Sequence, residues 1–253
     1  MKRILSLLLV VAMIATCAIA FTACGEKEEE ASNKLVMATN AEFPPFEYVE
    51  NGEIVGADVE IAKAIAEKLG MELEIVNTDF DGALMGAATG KYDMAVAGIT
   101  ANEDRKKNMN FSDAYYKASQ AIIVTSDSKI AAVADLEGKK ISCQEGTTGE
   151  QYLLDNGYEI QSYKTGAEAV TALTTGKVDA VVIDNQVAVA LSEKQNGATK
   201  VLDEALTQEE YAIAFEKGDD ELTKKVNDAL NELKAEGKLA EIFEKYELPY
   251  DAE

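Results

Sequence analysis

The chain has 253 residues, 47% of them hydrophobic and 28% charged, so it is long enough for one or two domains with a sizeable core and is not a disordered chain. Acidic side chains outnumber lysine and arginine by 46 to 24, and the formal net charge of −22 argues against nucleic acid as a partner, because its phosphates would be repelled. Histidine is absent, which excludes Ser–His and Cys–His catalysis and the commonest zinc sites. No phosphate loop or dinucleotide fingerprint appears either, so we expect neither a metal nor a cofactor.

The N-terminal segment has the pattern of an export signal. Two positive charges precede an apolar run over residues 4–21, with small residues toward its end. The motif Thr-Ala-Cys-Gly at residues 22–25 follows, and it resembles the cleavage box of bacterial lipoproteins, in which the cysteine is acylated and becomes the first residue. We predict a lipoprotein signal peptide over residues 1–23 and a lipid on Cys24.

Two interpretations of this N-terminus both place the rest of the chain outside the cytoplasm. In the lipoprotein interpretation, Phe21 stands where leucine is usual, and two acyl chains anchor the protein to the outer face of the bacterial cell membrane. The alternative is an ordinary transmembrane anchor that ends near Ala23. Residues 24–33 are charged and poor in apolar side chains, which predicts an acidic tether.

Cysteine usage limits the covalent chemistry of the body. Loss of the signal would remove Lys2 and Arg3, which takes the net charge from −22 to −24, and it would also remove Cys17. Lipidation would occupy Cys24, so Cys143 alone would remain and no internal disulfide is possible. Cys143 lies in an apolar strand pattern, which predicts a buried, inert thiol.

From residue 34 onward, predicted strands and helices alternate. Asn51-Gly52 predicts a hairpin turn, and the apolar spacing after Asp58 predicts a helix that Asp58 caps and Gly70 ends. This first series has predicted strands at residues 35–38, 54–56, 73–76 and 94–97 and predicted helices at residues 58–69 and 82–89. Such βαβ alternation implies a largely parallel sheet with helices on both faces.

A second series begins after residue 116. Its predicted strands are residues 121–125, 139–143, 159–163 and 179–183, and its predicted helices are residues 148–156, 166–174 and 185–194. Residues 89–96 and 175–182 are similar in sequence, because in each a helix ends at glycine and a Lys-x-Asp turn starts an apolar strand. This repetition indicates two similar lobes.

The C-terminal part is predicted as helices at residues 221–234 and 239–246, whose apolar faces need a lobe to pack on. If they return to the first lobe, the chain crosses between the lobes twice, near residues 116–120 and 209–212. Two crossings form a hinge, and the cleft between the lobes becomes the expected ligand site.

Residues 97–116 combine the features of an anion-binding segment. Gly98 follows an apolar strand and permits close approach of the backbone, and Thr100 supplies a hydroxyl and an N–H group. Asn102 is predicted to cap a short charged helix with Arg105 in its first turn. An arginine held beside free N–H groups suits a carboxylate, because it is a two-pronged donor that stays charged. The alternative is that Arg105 is a solvated helix residue.

Four segments carry a family resemblance. They resemble the extracytoplasmic amino-acid-binding proteins of ABC importers, specifically the polar amino-acid group with its glutamine- and lysine/arginine/ornithine-binding members, and the similarity covers residues 35–248. The segments are Ala-Thr-Asn-Ala-Glu-Phe-Pro-Pro-Phe-Glu-Tyr at residues 38–48, Gly-Ile-Thr with the later arginine at residues 98–105, Phe-Ser-Asp-Ala-Tyr-Tyr at residues 111–116 and Gly-Thr-Thr-Gly at residues 146–149.

The resemblance implies an α/β, two-lobed, periplasmic-binding-protein-like fold (a Venus flytrap), in which each lobe is a mainly parallel sheet flanked by helices and two crossovers form the hinge. Residues 34–117 and 211–253 would form the first lobe and residues 118–210 the second. It also implies a monomeric substrate-binding lipoprotein, not an enzyme, that captures a free L-amino acid and delivers it to a membrane permease.

The resemblance assigns five site residues to the first lobe. Phe43 lies over the ligand and Phe80 closes the opposite wall. Gly98 and Thr100 bind the amino and carboxylate ends of the ligand, and Arg105 clamps its α-carboxylate. Phe43 as a loop anchor and Phe80 as a core residue are the alternatives.

It assigns three more to the second lobe. Gln144 stands where relatives place lysine or another selector of the side chain. Thr147 binds carboxylate at a helix N-terminus, where free N–H groups favour an anion, and Asp184 pairs with the α-ammonium. Asp184 as the N-cap of the following helix is the alternative. Binders of cationic amino acids usually carry aspartate where this chain has Asn40, and with Gln144 in place of lysine we predict an uncharged polar ligand.

Two other functions fit the same fold. One is a cyclohexadienyl-dehydratase-like enzyme, in which Glu42 or Glu145 would be the acid beside the leaving group. The other is an amino-acid sensor, in which a separate partner would carry the signal. The pair Arg105 and Asp184, which matches the two ends of a zwitterion, favours a binding protein.

Overall fold

The computed structural model describes residues 33–250. The predicted signal peptide, Cys24, most of the acidic tether and the last three residues lie outside the described residues. No helix in the described part combines the length and the apolarity that a bilayer crossing requires.

The described chain contains fifteen strands and eight α-helices. The strands are β1 Lys34–Thr39, β2 Glu42–Phe43, β3 Glu47–Glu50, β4 Glu53–Val55, β5 Glu72–Asn77, β6 Met94–Ala95, β7 Met109–Phe111, β8 Tyr116–Ala118, β9 Gln120–Thr125, β10 Lys140–Gln144, β11 Glu159–Tyr163, β12 Ala180–Asp184, β13 Thr199–Val201, β14 Glu209–Tyr211 and β15 Ala214–Glu216. The helices are α1 Ala57–Leu69, α2 Phe80–Ala88, α3 Glu103–Lys106, α4 Thr148–Asp155, α5 Gly166–Thr174, α6 Asn185–Glu193, α7 Asp220–Ala235 and α8 Lys238–Lys245. The helices predicted from the sequence are all present, with ends that differ by at most two residues.

Two five-stranded sheets form the two lobes. The first has the strand order β5-β1-β6-β15-β7 and the second has the order β11-β10-β12-β9-β13. In each sheet four strands run in one direction and the fourth in order, β15 or β9, runs in the other. Helices α1 and α2 pack with the first sheet and α4 to α6 with the second. The prediction of a two-lobed fold with mainly parallel sheets is confirmed.

The chain passes between the sheets through two paired segments. Strands β8 and β14 form a two-stranded antiparallel ladder with Tyr116 opposite Tyr211, and β15 then enters the first sheet between β6 and β7. The last helices, α7 and α8, pack on α1. The exact boundaries of the lobes, at residues 117 and 211, stay a prediction.

An aromatic cluster fixes the crossing segments. The ring of Phe46 meets the rings of Tyr116 and Tyr211 edge to face, with centroid distances of 5.0 and 5.2 Å, and Tyr116 also contacts Phe243 at 5.1 Å. Phe46, Tyr211 and Phe243 are fully buried. These buried aromatic contacts hold the crossing segments against the first lobe.

Asp58 is not the cap of α1, and this part of the prediction is wrong. The helix begins at Ala57, and its N-cap is Gly56, at φ 131°. A Cβ at Gly56 would lie 2.1 Å from the carbonyl oxygen of Phe46, so only glycine fits where the two backbone segments pass this close. The helix begins earlier than the position of the Asp58 carboxylate suggests. Asp58 is instead buried inside the first lobe. Gly70 ends the helix in the left-handed conformation, as predicted.

Candidate functional site

A narrow cavity lies between the two sheets, and about 290 Å³ of space, part of it open to solvent, lies among its lining residues. It brings together all eight residues predicted for the ligand site. Its lining residues are Asn40, Phe43, Glu47, Phe80, Ala97, Gly98, Thr100, Arg105, Gln144, Thr147, Thr148 and Asp184. Only about 10 Å³ of this space is accessible to the centre of a water-sized sphere, so the two lobes nearly touch here. The role of each residue in binding stays a prediction.

Two phenylalanines form the walls of the cavity. Phe43 lies so close to Gly98 that a Cβ there would be 2.7 Å from its Cε1 atom. Phe80 is the first residue of α2, whose N-cap Asp79 accepts a hydrogen bond from the N–H of Gly82 at 2.6 Å. The guanidinium carbon of Arg105 lies 5.4 Å from the centroid of the Phe80 ring, which is a cation–π contact. Both rings therefore face the site.

Arg105 is held in place from both lobes. The side chain of Asn102 accepts from the N–H of Arg105 at 2.8 Å, which starts α3 as predicted. The guanidinium donates to the carbonyl of Thr100 at 2.9 Å and to the carbonyl of Gly146, in the second lobe, at 3.1 Å. A guanidinium has five N–H donors, so three of them have no hydrogen bond within the described residues and can serve a carboxylate.

Burial and nearby acids act on this guanidinium in opposite directions. Burial lowers the pKa of Arg105, and the charges of Asp184, Glu209 and Asp81 raise it. Arg105 is half-buried, lines the cavity and donates to two carbonyl groups, so the interpretation as a solvated helix residue is wrong; its neighbour Lys106 is exposed and pairs with Glu103 at 3.0 Å.

Asp184 is the last residue of β12 and is 4% exposed. Asp184 stands at the N-cap position of α6, as the alternative predicted, but its carboxyl group makes no hydrogen bond with the start of the helix and is not used as a cap. The hydroxyl of Tyr211 donates to its Oδ1 atom at 2.5 Å. Burial raises the pKa of Asp184 to about 7, with a further contribution from the charge of Glu209, and this upward shift is opposed by hydrogen bonds from Tyr211 and Gln120.

Gly98 and Thr147 have fewer free polar groups than their assignments suggest. The N–H of Gly98 donates to Asp58 Oδ2 at 2.8 Å, so the carbonyl of Gly98 is what remains for a ligand. The hydroxyl of Thr147 donates to the carbonyl of Gln144 at 2.7 Å and accepts from the N–H of Glu150 at 3.2 Å, as the N-cap of α4. A ligand carboxylate would meet the backbone N–H groups at this helix start, not the hydroxyl.

Gln144 joins the lobes above the cavity. Its Nε2 atom donates to Asn40 Oδ1 at 3.0 Å and to the carbonyl of Lys164 at 3.2 Å. Asn40 belongs to the first lobe and Gln144 to the second, so this bond and the bond from Arg105 to Gly146 both cross the cleft. The arrangement is a closed one.

Sequence reasoning missed Glu47 as a cavity residue. It is fully buried, and neither carboxyl oxygen accepts a hydrogen bond from an N–H or O–H group of the described residues. Burial raises the pKa of Glu47 well above its ordinary value, and the neighbouring Asp58 adds to this shift. A protonated Glu47 can donate to Asp58, whose Oδ1 atom is otherwise unpaired. No pattern in the sequence marks an acid in the short strand β3 as inward-facing.

The sequence and the fold of the chain match those of known proteins. Residues 35–249 match the family model of the bacterial extracellular solute-binding proteins, family 3. The chain belongs to this family. The arginine-binding extracellular protein ArtP of Bacillus subtilis is 35% identical over 244 residues, which cover 92% of this chain and 95% of ArtP.

Two further family members show the range of ligands. The ABC transporter glutamine-binding protein GlnH of Bacillus subtilis is 34% identical over 205 residues, 78% of this chain and 74% of GlnH. The solved structure of an ancestral arginine-binding protein bound to glutamine is 42% identical, with a TM-score of 0.81, and covers 85% of this chain and 97% of that one. These relatives are binding proteins of amino acids, and the family assignment made from the sequence is confirmed.

Proposed function

We propose that this protein captures a free L-amino acid in the interlobe cavity and delivers it to an ABC permease in the membrane. The observation that carries the proposal is the placement of Arg105 and Asp184 in one cavity, from opposite lobes. One has N–H donors to spare and the other a carboxyl group that caps no helix. A zwitterion carries one group for each of them.

The energetics are adequate for a transport protein. Each hydrogen bond to a charged group contributes about 1.5–3 kcal/mol. A few such bonds, less the cost of ordering and closure, give a site of micromolar affinity or tighter, which corresponds to about −8 kcal/mol. The ligand docks first on Arg105, Thr100 and the aromatic walls, and the second lobe then closes with Thr147 and Asp184, because only the closed form makes both sets of contacts.

The side chain of the ligand has two candidates. The uncharged polar preference predicted from Asn40 and Gln144 stays a prediction. One observation favours a cationic side chain such as that of arginine: Glu47 places a buried carboxyl group in the same cavity without a hydrogen-bond donor. A guanidinium beside it would supply the missing donors and stabilise its ionised form. The named relatives of this chain bind arginine or glutamine.

The enzyme alternative has less support from the site. Glu42 is exposed, and Glu145 pairs with Lys164 at 2.7 Å; neither belongs to the cavity lining. We therefore propose a binding protein and not a dehydratase. A turnover assay with a cyclohexadienyl acid is expected to give no product.

We also propose that Cys24 carries the lipid that anchors the protein to the outer face of the cell membrane, and that the protein acts as a monomer. Labelling with an alkyne fatty acid in cells should mark the wild type and not Cys24→Ser, and the variant should leave the membrane fraction. Labelling of both would contradict the anchor.

The experiment that tests the main proposal is a thermal-shift screen of the protein from Ser32 onward against the twenty amino acids. One amino acid or a few chemically similar ones should raise the melting temperature, and at equal concentration the tighter ligand should raise it more. No shift with any of the twenty would contradict the proposal.

A further inference from the structure

A carboxylate in the crossing segment touches the ligand site of both lobes without lining the cavity. Glu209, in β14, is 8% exposed, and three threonine hydroxyls donate to it. Oε2 accepts from Thr100 Oγ1 at 2.5 Å and from Thr148 Oγ1 at 2.8 Å, and Oε1 accepts from Thr207 Oγ1 at 2.8 Å. Thr100 lies in the first lobe and Thr148 in the second, and both line the cavity.

These contacts fix which hydrogen-bonding groups the two threonines offer to a ligand. A hydroxyl has one hydrogen and two lone pairs. Because the hydrogens of Thr100 and Thr148 are directed at Glu209, their hydroxyls have only lone pairs left for the cavity. One lone pair of Thr148 is used by Gln120 Nε2 at 3.3 Å. Toward the ligand both side chains are therefore acceptors, which suits an ammonium group and does not suit a carboxylate.

The charges around Glu209 also favour the ammonium end of the ligand at this place. Asp184 and Glu209 are close enough for each to act on Arg105, and the charge of Glu209 also acts on Asp184. When Asp184 is ionised, two carboxylates act on one guanidinium, so negative charge is in excess near the threonine hydroxyls. A cation placed there balances it.

We propose that Glu209 is a positioning residue for the α-ammonium: it orients the hydroxyls of Thr100 and Thr148 as acceptors, so that the site binds an amino acid and rejects the same molecule without its amino group. This inference rests on the proposed function, and it adds the residue that sets the polarity of one end of the site. Glu209 acts through the threonines and touches no ligand itself.

The test compares an amino acid with its deaminated analogue in the full-length protein. The probes are L-arginine against 5-guanidinopentanoic acid and L-glutamine against glutaramic acid, with affinities from titration calorimetry. In Glu209→Gln the neutral amide oxygen is a weaker acceptor than the carboxylate, and an amide with Nε2 in the place of Oε2 donates to the hydroxyls of Thr100 and Thr148, which must then turn their hydrogens away. We expect the ratio of the two affinities to fall about tenfold or more, mainly because the amino acid binds more weakly. Glu210→Gln, at the exposed neighbouring residue, should leave the ratio unchanged.

A double-mutant cycle separates positioning from a structural role. Thr100→Val removes one of the two hydroxyls through which Glu209 acts, so Glu209→Gln should change the ratio less in the Thr100→Val background than in the wild type. If Glu209→Gln does not fold, Thr207→Val releases Oε1 from outside the cavity and should lower the ratio by a smaller factor.

The outcomes distinguish this inference from the proposed function. A wild type that binds none of the four probes contradicts the proposed function for these two amino acids. A wild type that binds an amino acid, with the same ratio in folded Glu209→Gln or in Thr207→Val, overturns the role of Glu209 and leaves the proposed function standing. Equal effects of Glu209→Gln with and without the Thr100 hydroxyl also overturn it.

Discussion

The hydroxyl of Tyr211 donates to Oδ1 of Asp184 at 2.5 Å, which joins the crossing segment to the end of a strand in the second lobe. Tyr211 is fully buried, and its ring packs on Phe46 of the first lobe. The carboxyl group is thereby held in one orientation, with a neutral donor on one oxygen. Because a phenol brings no charge, burial still raises the pKa of Asp184, to about 7.

Amino-acid binding should therefore weaken as the pH falls below about 7. An α-ammonium needs the ionised form of Asp184, and in the empty site this group is protonated below its raised pKa of about 7. Binding lowers that pKa and releases a proton, so the affinity should fall by up to about tenfold for each pH unit below it. Calorimetry at pH 6 in two buffers of different ionisation enthalpy measures the released proton.

The matched variant for this experiment is Asp184→Asn. It keeps the shape of the side chain and removes the titrating group, so its affinity should be lower and nearly independent of pH. A wild-type dissociation constant that stays constant between pH 5.5 and 7.5 would exclude Asp184 as the partner of the ammonium.

The free energy of unfolding of the empty protein should fall as the pH rises from 5 to 7.5. The pKa values of Glu47, Asp58 and Asp184 are all raised in the folded state, chiefly by burial. Between the pKa values of these groups in the unfolded chain and those in the folded protein, the native state binds protons that the unfolded chain has released. The stability that is fully present below the unfolded-state pKa values is therefore lost as the pH rises through the folded-state pKa values. Urea unfolding at several pH values measures the slope.

Glu47→Gln isolates one of these groups. The variant keeps a neutral donor beside Asp58 and removes the titration, so the fall should become shallower by at most about 1.4 kcal/mol per pH unit. Glu50→Gln, at an exposed residue of the same strand, should leave the slope unchanged. An unchanged slope in Glu47→Gln would mean that Glu47 is ionised in the folded protein.

Features that depend on residues close together in the sequence could be predicted, and features that depend on contacts between distant segments could not. Strand β10 and helix α5 appear within one residue of their predicted positions, because apolar spacing and local caps determine them. The eight predicted site residues meet in one cavity because the family motifs record that arrangement. The burial of Glu47 and Glu209 was not predictable, because it results from contacts between segments far apart in the chain.

The same limit explains the error at Asp58. An acid at the start of a helix pattern is usually a cap. Here the carboxylate instead accepts from Gly98 N–H and Tyr115 OH, both at 2.8 Å, and these partners follow 40 and 57 residues later. Only the packed fold shows that Asp58 holds the backbone at Gly98, which lines the cavity.

Arg105→Ala should abolish any thermal shift found with an amino acid. The substitution removes the donors for the α-carboxylate, and the loss of two charge-assisted hydrogen bonds, about 3–6 kcal/mol, is a decrease in affinity of at least about a hundredfold. Lys106→Ala, at the exposed neighbour, should bind as the wild type does. Retention of the shift in a folded Arg105→Ala would remove the carboxylate clamp from the proposed mechanism.

Glu47→Gln should also separate the two candidate ligands. If the cavity takes arginine, the variant loses a carboxylate beside the guanidinium, and arginine affinity should fall about tenfold or more while glutamine affinity changes little. Calorimetry with both amino acids, with Glu50→Gln as the control, makes the comparison. A wild type that binds glutamine and not arginine would favour the uncharged polar ligand predicted from Asn40 and Gln144.

Gly98→Ala should reduce ligand affinity more than it reduces stability. The backbone at Gly98 has φ 55°, and a Cβ would lie 2.7 Å from Phe43 Cε1, so the aromatic wall of the cavity must shift. Gly52→Ala is the matched control, because Gly52 also has a positive φ, 85°, and nothing lies within 4 Å of its added Cβ. Both variants should lose about 1 kcal/mol of stability from the left-handed backbone. Only Gly98→Ala should weaken binding in calorimetry, and equal affinities of the two variants would show that Phe43 does not form a wall of the ligand site.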